Sequence, residues 1–325
     1  MGPSGFLLTQ MLNEAGINRV DCFLTNVINQ RPPDNDFTAF CCPKSEDQLG
    51  FPPVFTGCYL RREFLPELNR LASELRREAP NLIITTGNVP TWALLGSGNI
   101  TKLRGTIAAG TSGPVGSALE RCGIIPKVLP TIHPAAIIRQ WKWRAVTVLD
   151  FAKARREAEF PEILRPERQI FIAETLDDLE WFYDRYIDGA TLIAPDIETS
   201  GDQITCIGFA VCPQVACVVP FVDNRRADRS YWPSHKAELH AWRFVQRVLH
   251  HPARKIFQNG MYDIAFLWRR YGLTVRNPGE DTMLMHHALQ PESKKDLGFL
   301  GSVYTNEPAW KMMRQRGKAT IKRDD

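Results

Sequence analysis

Three acidic side chains carry the first chemical signal. Asp196-Ile197-Glu198 closes an extended run that begins at Thr191. Residues i and i+2 of a strand share a face, so both carboxylates leave the same side. Two like charges so placed repel unless a cation lies between them, and an oxygen-only pair suits Mg2+ or Mn2+. A solvated strand edge is the plain alternative. A third acid, Asp263, falls in the first turn of a helix expected to open near Gly260, within Lys255-Ile256-Phe257-Gln258-Asn259-Gly260-Met261-Tyr262-Asp263. There an acid also complements the helix dipole.

A second constellation lies in the first half. Leu24-Thr25-Asn26-Val27 and Pro130-Thr131-Ile132-His133-Pro134-Ala135 each close an expected strand. Strand C-termini in open parallel sheets converge on the ligand crevice. The Asn26 amide can donate to and accept from the edge of a base, and His133 can donate to an anion developing on it. A turn former and a pre-proline loop residue are the plain readings of the two. His286-His287 and His250-His251 have no partner at a ligand spacing and read as packing residues. The Gly110–Ser117 run lacks the lysine of a phosphate-binding loop.

The elements that must position these residues follow from periodicity. Helices are expected at 5–15, at 62–78 with Phe64, Leu68, Leu71 and Leu75 inward, at 89–95 and at 143–156. Strands are expected at 20–28, 82–84 and 128–132, with a long Pro-rich loop from Arg31 to Phe55. Such alternation implies a parallel sheet covered on both faces. The Pro-marked segment 155–168 reads as a linker with its boundary near 165. Beyond it come a strand at 170–172, a helix capped by Thr175, three consecutive extended runs forming a meander, a helix at 235–250, a strand at 255–258 and the helix from Gly260. Leu239, Trp242, Val245 and Leu249 are expected inward in the first of these last two helices, and Ile264, Leu267, Trp268 and Tyr271 in the second.

The 325 residues suit two domains. A hydrophobic share of 44% and a charged share of 23% speak against long disorder. No apolar run is long enough to cross a bilayer and no basic segment opens the chain as a leader would, so a cytoplasmic protein with no membrane partner is expected. The net charge of +4 decides little, but Lys311, Arg314, Arg316, Lys318, Lys322 and Arg323 form a basic run that reads as a solvated terminus or a nucleic-acid contact. The eight cysteines form no Cys-x-x-Cys pair, and reduced thiols are expected.

From about Ile170 to Lys311 the chain resembles the proofreading 3′–5′ exonuclease domain of family A DNA polymerases. Asp196-Ile197-Glu198-Thr199 is similar to the first motif of that family and Asn259 through Asp263 to the second. Glu280-Asp281-Thr282-Met283-Leu284-Met285-His286-His287-Ala288-Leu289 and Lys295-Asp296-Leu297 are similar to stretches that follow. The resemblance implies two-metal phosphodiester hydrolysis with Mg2+ or Mn2+. Asp196 would bridge or hold both cations, Glu198 would help bind one and orient the water, Asp263 would bind the second, and Asn259 would position backbone or substrate. The third motif of the family is a Tyr followed four positions later by an Asp. Four beyond Tyr304 is Pro308 and four beyond Tyr271 is Val275, so the chain is expected to stop short of it. Pro195 is expected to end or bulge the strand before Asp196.

From about Gly2 to Lys153 the chain resembles the iron–sulphur-type branch of the uracil-DNA glycosylase superfamily. The resemblance rests on Gly2-Pro3-Ser4-Gly5-Phe6-Leu7-Leu8, on Asn26 with its flanks and Arg31-Pro32-Pro33, and on Gly87, Arg104-Gly105 and the His133 run. It implies that Asn26 recognises uracil and that His133 stabilises the departing uracil anion of a flipped base. The first motif of that family, with the water-activating region, is expected to be missing upstream of Gly2. No iron–sulphur cluster is expected: Gln30 stands at one ligand position, Cys58 matches another, and Cys41 and Cys42 lie in the loop without partners.

The expected fold is therefore α/β in two domains. Residues 1–160 would form a parallel α/β/α glycosylase-like sandwich, and 168–325 a ribonuclease-H-like mixed sheet with helices. A glycosylase-like front followed by such an exonuclease resembles the start of certain bacteriophage DNA polymerases, and a gene fragment, a split reading frame or a truncated reading frame is expected. The expected partners are DNA, as a single-stranded 3′ end or a uracil-containing strand, and a polymerase domain or subunit. The location would be the bacterial host cytoplasm if the gene is a phage's. The alternatives to an exonuclease are a uracil-DNA glycosylase and a non-catalytic DNA-binding remnant.

Overall fold

The computed structural model describes residues 2–307, so the basic run from Lys311 to Arg323 lies outside the described residues. The chain divides into two compact units. One comprises Met1–Arg165 together with the segment from Gly298 onward, and the other comprises Pro166–Leu297. No described helix is long and apolar enough to cross a membrane.

In the first unit, α1 (Pro3–Glu14) opens on a proline, whose fixed φ suits a first helical turn, and buries Leu7, Met11 and Leu12. The long loop holds only a short antiparallel pair, β1 (Cys41–Cys42) and β2 (Tyr59–Leu60). Next, α2 (Leu65–Glu78) buries Leu68, Leu71 and Leu75, the expected stripe. Then follow β3 (Ile83–Thr86), α3 (Asn88–Leu95), α4 (Ile100–Leu103), β4 (Ala108–Ala109), α5 (Pro114–Glu120), β5 (Lys127–Thr131), α6 (Pro134–Arg139) and α7 (Arg144–Glu157). The sheet runs β3-β5-β4, with β3 and β5 parallel and β4 antiparallel to β5. Ile83 packs against the cluster that includes Leu71, Leu75 and Trp92, whereas Ile84 packs against the one that includes Met11, Ile132 and Phe151. The two-residue period of the strand thus separates two helical layers.

One expectation fails here. Residues 20–28 form no strand: a 3₁₀ turn (Arg19–Asp21) is followed by irregular chain, and Val20 is 82% exposed. The polar face of α2 replaces the missing ladder. Arg70 Nη2 donates to the Asn26 carbonyl (2.8 Å), Thr25 Oγ1 to Glu74 (2.7 Å), and the Asn29 N–H to Glu67 (2.9 Å). Within the described residues, contacts also divide the expected second domain. The segment from Gly298, which carries most of α12 (Leu297–Tyr304), is part of the first unit. Buried Arg104, paired with Asp150, donates to Ser302 Oγ (2.9 Å), and buried Lys153 donates to the Thr305 carbonyl (2.7 Å) and to that of Ser302. These charges would be costly to bury without such partners.

The second unit begins with β6 (Gln169–Ile172) and α8 (Leu176–Phe182), the latter closed at its start by a reciprocal Thr175–Asp178 capping box. The meander is β7 (Leu192–Ser200), β8 (Gln203–Cys212) and β9 (Val215–Pro220). Then come α9 (His235–Leu249), β10 (Arg254–Phe257), α10 (Gly260–Tyr271), β11 (Pro278–Asp281) and α11 (Thr282–Leu289). The mixed sheet has the order β11-β10-β7-β8-β9-β6. Antiparallel β7-β8-β9 is flanked by parallel β10 and β11 on one side and by β6 on the other. The helical stripes sit slightly off the expected ones. In α9 the buried residues are Ala241, Phe244, Val245, Val248 and Leu249, with Leu239 exposed; in α10 Trp268 is exposed.

Candidate active sites

Along β7, Ile193, Pro195 and Ile197 are buried while Asp196 and Glu198 are exposed, so the two carboxylates share the outer face as their spacing requires. Pro195 neither ends nor bulges the strand. It pairs in register with Phe209, and the irregularity lies between Glu198 and Thr199. The ladder explains why. Pairing of β7 with β10 stops at Ile193, and the Ile197 N–H turns away from β8 to donate to Asp263 Oδ1 (3.2 Å). Residues two apart in a strand present their N–H groups to the same side. The Pro195 nitrogen therefore faces the gap where β10 has diverged, and no ladder bond is lost.

That gap is where the third acid enters. Asp263, in the first turn of α10, is 5% exposed and takes the place of a neighbouring strand as acceptor for Ile197. Burial pushes its carboxyl up to about 6; the Ile197 hydrogen bond opposes this and the nearby charge of Asp196 reinforces it. Asp196, whose side chain reaches solvent beside a packed strand that desolvates it, is itself raised, by that desolvation first and by the Glu198 charge second. The three acids thus occupy one neighbourhood and repel one another. Their oxygens are the donor type that hard divalent cations prefer, and the repulsion is what a cation would relieve. The cluster is open rather than a closed cage: among the described residues no group of three or more His, Cys, Asp or Glu side chains is arranged to hold a metal ion. Exposed Asp196 and Glu198 can close on an ion by rotation about their side-chain bonds.

Asn259 is the residue before α10 and has φ +61°, a left-handed conformation that asparagine tolerates better than most. The following Gly260 leaves no room for a Cβ, which would meet the Phe257 Cβ at 2.5 Å. Tyr262 bonds Thr199 through the two hydroxyls (2.8 Å), beside Glu198. This contact had no sequence signal beyond the nearness of both residues to the motifs. His286 and His251 are buried packing residues, bonded to Ser293 and to the Asp188 carbonyl respectively.

In the first unit, Asn26 and His133 line one cleft of about 780 Å3, together with Ser4, Gly5, Thr86 and Pro90. His133 precedes α6, and its Nδ1 accepts the Ala135 N–H (3.1 Å). That bond assigns the proton of the neutral ring to Nε2. Burial, and secondarily Arg139, lower its pKa and so favour the neutral ring. Gly87 closes the approach: it has φ +90°, and a Cβ there would stand 3.0 Å from the His133 Cβ. Asn26 is held through its carbonyl by Arg70, within a Glu67–Arg70–Glu74 ion cluster. The opposite charges of Glu67 and Glu74, three residues before and four after Arg70 on α2, were the available signal for that brace.

All eight cysteines are free thiols. Cys41 and Cys42 are nevertheless not without neighbours. Cys41 lies beside Cys58, and burial, followed by the contact with that thiol, pushes Cys41 up to about 12.

Comparison with known proteins separates the chain along the same division. Residues 1–159 match the uracil DNA glycosylase superfamily and residues 170–323 match a 3′–5′ exonuclease family. The first part is similar to the type-4 uracil-DNA glycosylases of Archaeoglobus fulgidus (28% identity; 47% of this chain and 64% of that protein) and Sulfurisphaera tokodaii (32%; 50% and 63%). The chain therefore spans less than two thirds of the length of these relatives. Among solved structures, it is similar to the Aedes aegypti Nibbler EXO domain (12% identity, 50% of this chain and 81% of that one, TM-score 0.35). It is also similar to the Trypanosoma brucei RNase D in complex with GMP (18%, 46% and 44%, TM-score 0.34).

Proposed function

We propose that the second unit hydrolyses DNA from its 3′ end as a divalent-metal-dependent, proofreading-type exonuclease in a phage-type polymerase context. The observation that carries this reading is the bond from the Ile197 N–H to Asp263, because it ties the third acid to the backbone between Asp196 and Glu198. Asp196, Glu198 and Asp263 would hold Mg2+ or Mn2+. When bound, such ions supply Lewis acidity, which eases deprotonation of water and neutralises charge building on the phosphate. Glu198, exposed beside Asp196, orients the attacking water and accepts a hydrogen bond from it. The water oxygen bonds to phosphorus, the P–O3′ bond breaks, and the 3′ oxygen of the shortened strand takes up a proton. A nucleoside 5′-monophosphate leaves. Asn259, at the start of α10, positions the terminal nucleotide.

The geometry around His133 favours a second reading for the first unit, excision of uracil from DNA. A neutral ring with its proton on Nε2 can donate to the oxygen of a departing uracil anion, and the Asn26 amide can read the base edge. The two activities are tested together on the purified chain. Shortening of 3′ single-stranded DNA should require Mg2+ or Mn2+ and vanish with Asp196→Ala. Uracil release should survive EDTA and vanish with Asn26→Ala. Salt-sensitive DNA binding with neither reaction would replace both readings with that of a binding module.

A further inference from the structure

Asp281 lies at the end of β11, beside Phe257 in the parallel ladder with β10. Both strands therefore end side by side; β11 runs directly into α11, and β10 is followed by α10 after Gln258 and Asn259. The Asp281 carboxylate serves both helices. Oδ1 accepts the N–H of Asn259 (3.1 Å) and of Met283 (2.8 Å), and Oδ2 accepts the N–H of Gly260 (2.7 Å). Thr282 adds a second tie, donating to the Phe257 carbonyl (3.2 Å). An ordinary cap satisfies the donors of its own helix; this one also fixes the start of α10, one turn ahead of Asp263.

We propose that Asp281 is a positioning residue for the carboxylate site. By clamping Asn259 and Gly260 it sets the start of α10, and thereby where Asp263 presents its second oxygen toward Asp196 and Glu198. The left-handed turn at Asn259 makes the clamp necessary. Its two successive N–H groups point out of the helix and form an anion-binding concavity, and Asp281 is the anion that fills it. The amide of Asp281→Asn offers one acceptor and turns its own N–H groups toward backbone donors, so the clamp opens without loss of side-chain volume.

The inference rests on the proposed metal-dependent site, and its test separates the two. Mn2+ binding to the whole chain is followed by loss of the free-ion electron paramagnetic resonance signal, in parallel with amide hydrogen exchange at Asn259, Gly260 and Met283. Asp281→Asn should weaken Mn2+ binding by roughly tenfold, as expected for loss of charge-assisted hydrogen bonds, and should speed exchange at those three amides. The KM for DNA should not change, and added Mn2+ should restore activity. Asp178→Asn, which opens the capping box of α8 in the same unit, is the control for general loosening and should leave Mn2+ binding unchanged. Binding that is lost in Asp196→Ala but unaltered in Asp281→Asn, or weakened equally by Asp178→Asn, would overturn the positioning role alone. No Mn2+ binding by the unsubstituted chain would remove the metal site and the positioning role with it.

Discussion

Around His133 a neutral donor is assembled from a cap, a close-packed glycine and the start of a helix; around Asp196 three acids are left facing one another. The first cleft is arranged by backbone bonds and holds little charge conflict. The second concentrates like charge where β10 leaves β7, with Asp263 tied to the strand through the Ile197 N–H. On the proposed readings, the first would recognise and release a neutral or weakly anionic ring, and the second would hold cations. The same chain therefore builds one site that should ignore divalent metal and another that should depend on it.

Single substitutions should break this contrast cleanly. The largest effect is expected for Asp196→Ala. Removing a ligand worth several kcal/mol of transition-state stabilisation should slow 3′-end release by ~10^3-fold or more, while uracil excision by the same preparation stays within error. Next is Asp263→Asn, where stability and activity should move in opposite directions. The folded state holds the Asp263 proton up to about pH 6, above the ordinary carboxylate range, so ionisation costs stability. The penalty is absent below the unfolded pKa near ~4 and complete above the folded one. The amide retains the acceptor for Ile197. In thermal melts without divalent metal, Asp263→Asn should gain up to ~3 kcal/mol at neutral pH and nothing near ~pH 4, with nuclease activity lost. A variant equally stable or less stable at neutral pH would show that Asp263 is not strained by burial.

Smaller effects should mark the other site. His133→Ala should reduce uracil excision by ~10^2-fold, as loss of one donor to a developing anion does, with 3′-end release unchanged. Gly87→Ala should act in the same assay through geometry. It forces a side chain into a positive-φ position, at ~1–2 kcal/mol, and against the His133 Cβ. A drop in melting temperature accompanied by a proportionate fall in excision is expected, and normal excision would separate Gly87 from the placement of His133.

Much of this was legible in the residues. The strict alternation along β7 fixed the shared face of Asp196 and Glu198, and the Leu68, Leu71 and Leu75 stripe fixed the buried face of α2. The strands at 83–86 and 254–257, each soon followed by a helix, were legible because the period changes from two to 3.6; β11 before α11 was not. What escaped depended on partners distant in the chain. Residues 20–28 carry an apolar run without a ladder to join, because Glu67, Arg70 and Glu74 satisfy that segment instead. Pro195 reads as a strand breaker until the divergence of β10 is known. Asp281 caps its own helix, and nothing in its neighbourhood of sequence reveals that it also holds Asn259 and Gly260. The return of the segment from Gly298 to the first unit hangs on Arg104 and Lys153, which no periodicity connects to Ser302.

The most direct measurement is anomalous scattering from crystals of the chain soaked in Mn2+. The account predicts a peak within bonding distance of Asp196 and at least one of Glu198 and Asp263, lost in Asp196→Ala crystals. A well-ordered carboxylate face with no peak, or Mn2+ bound only elsewhere, would contradict it.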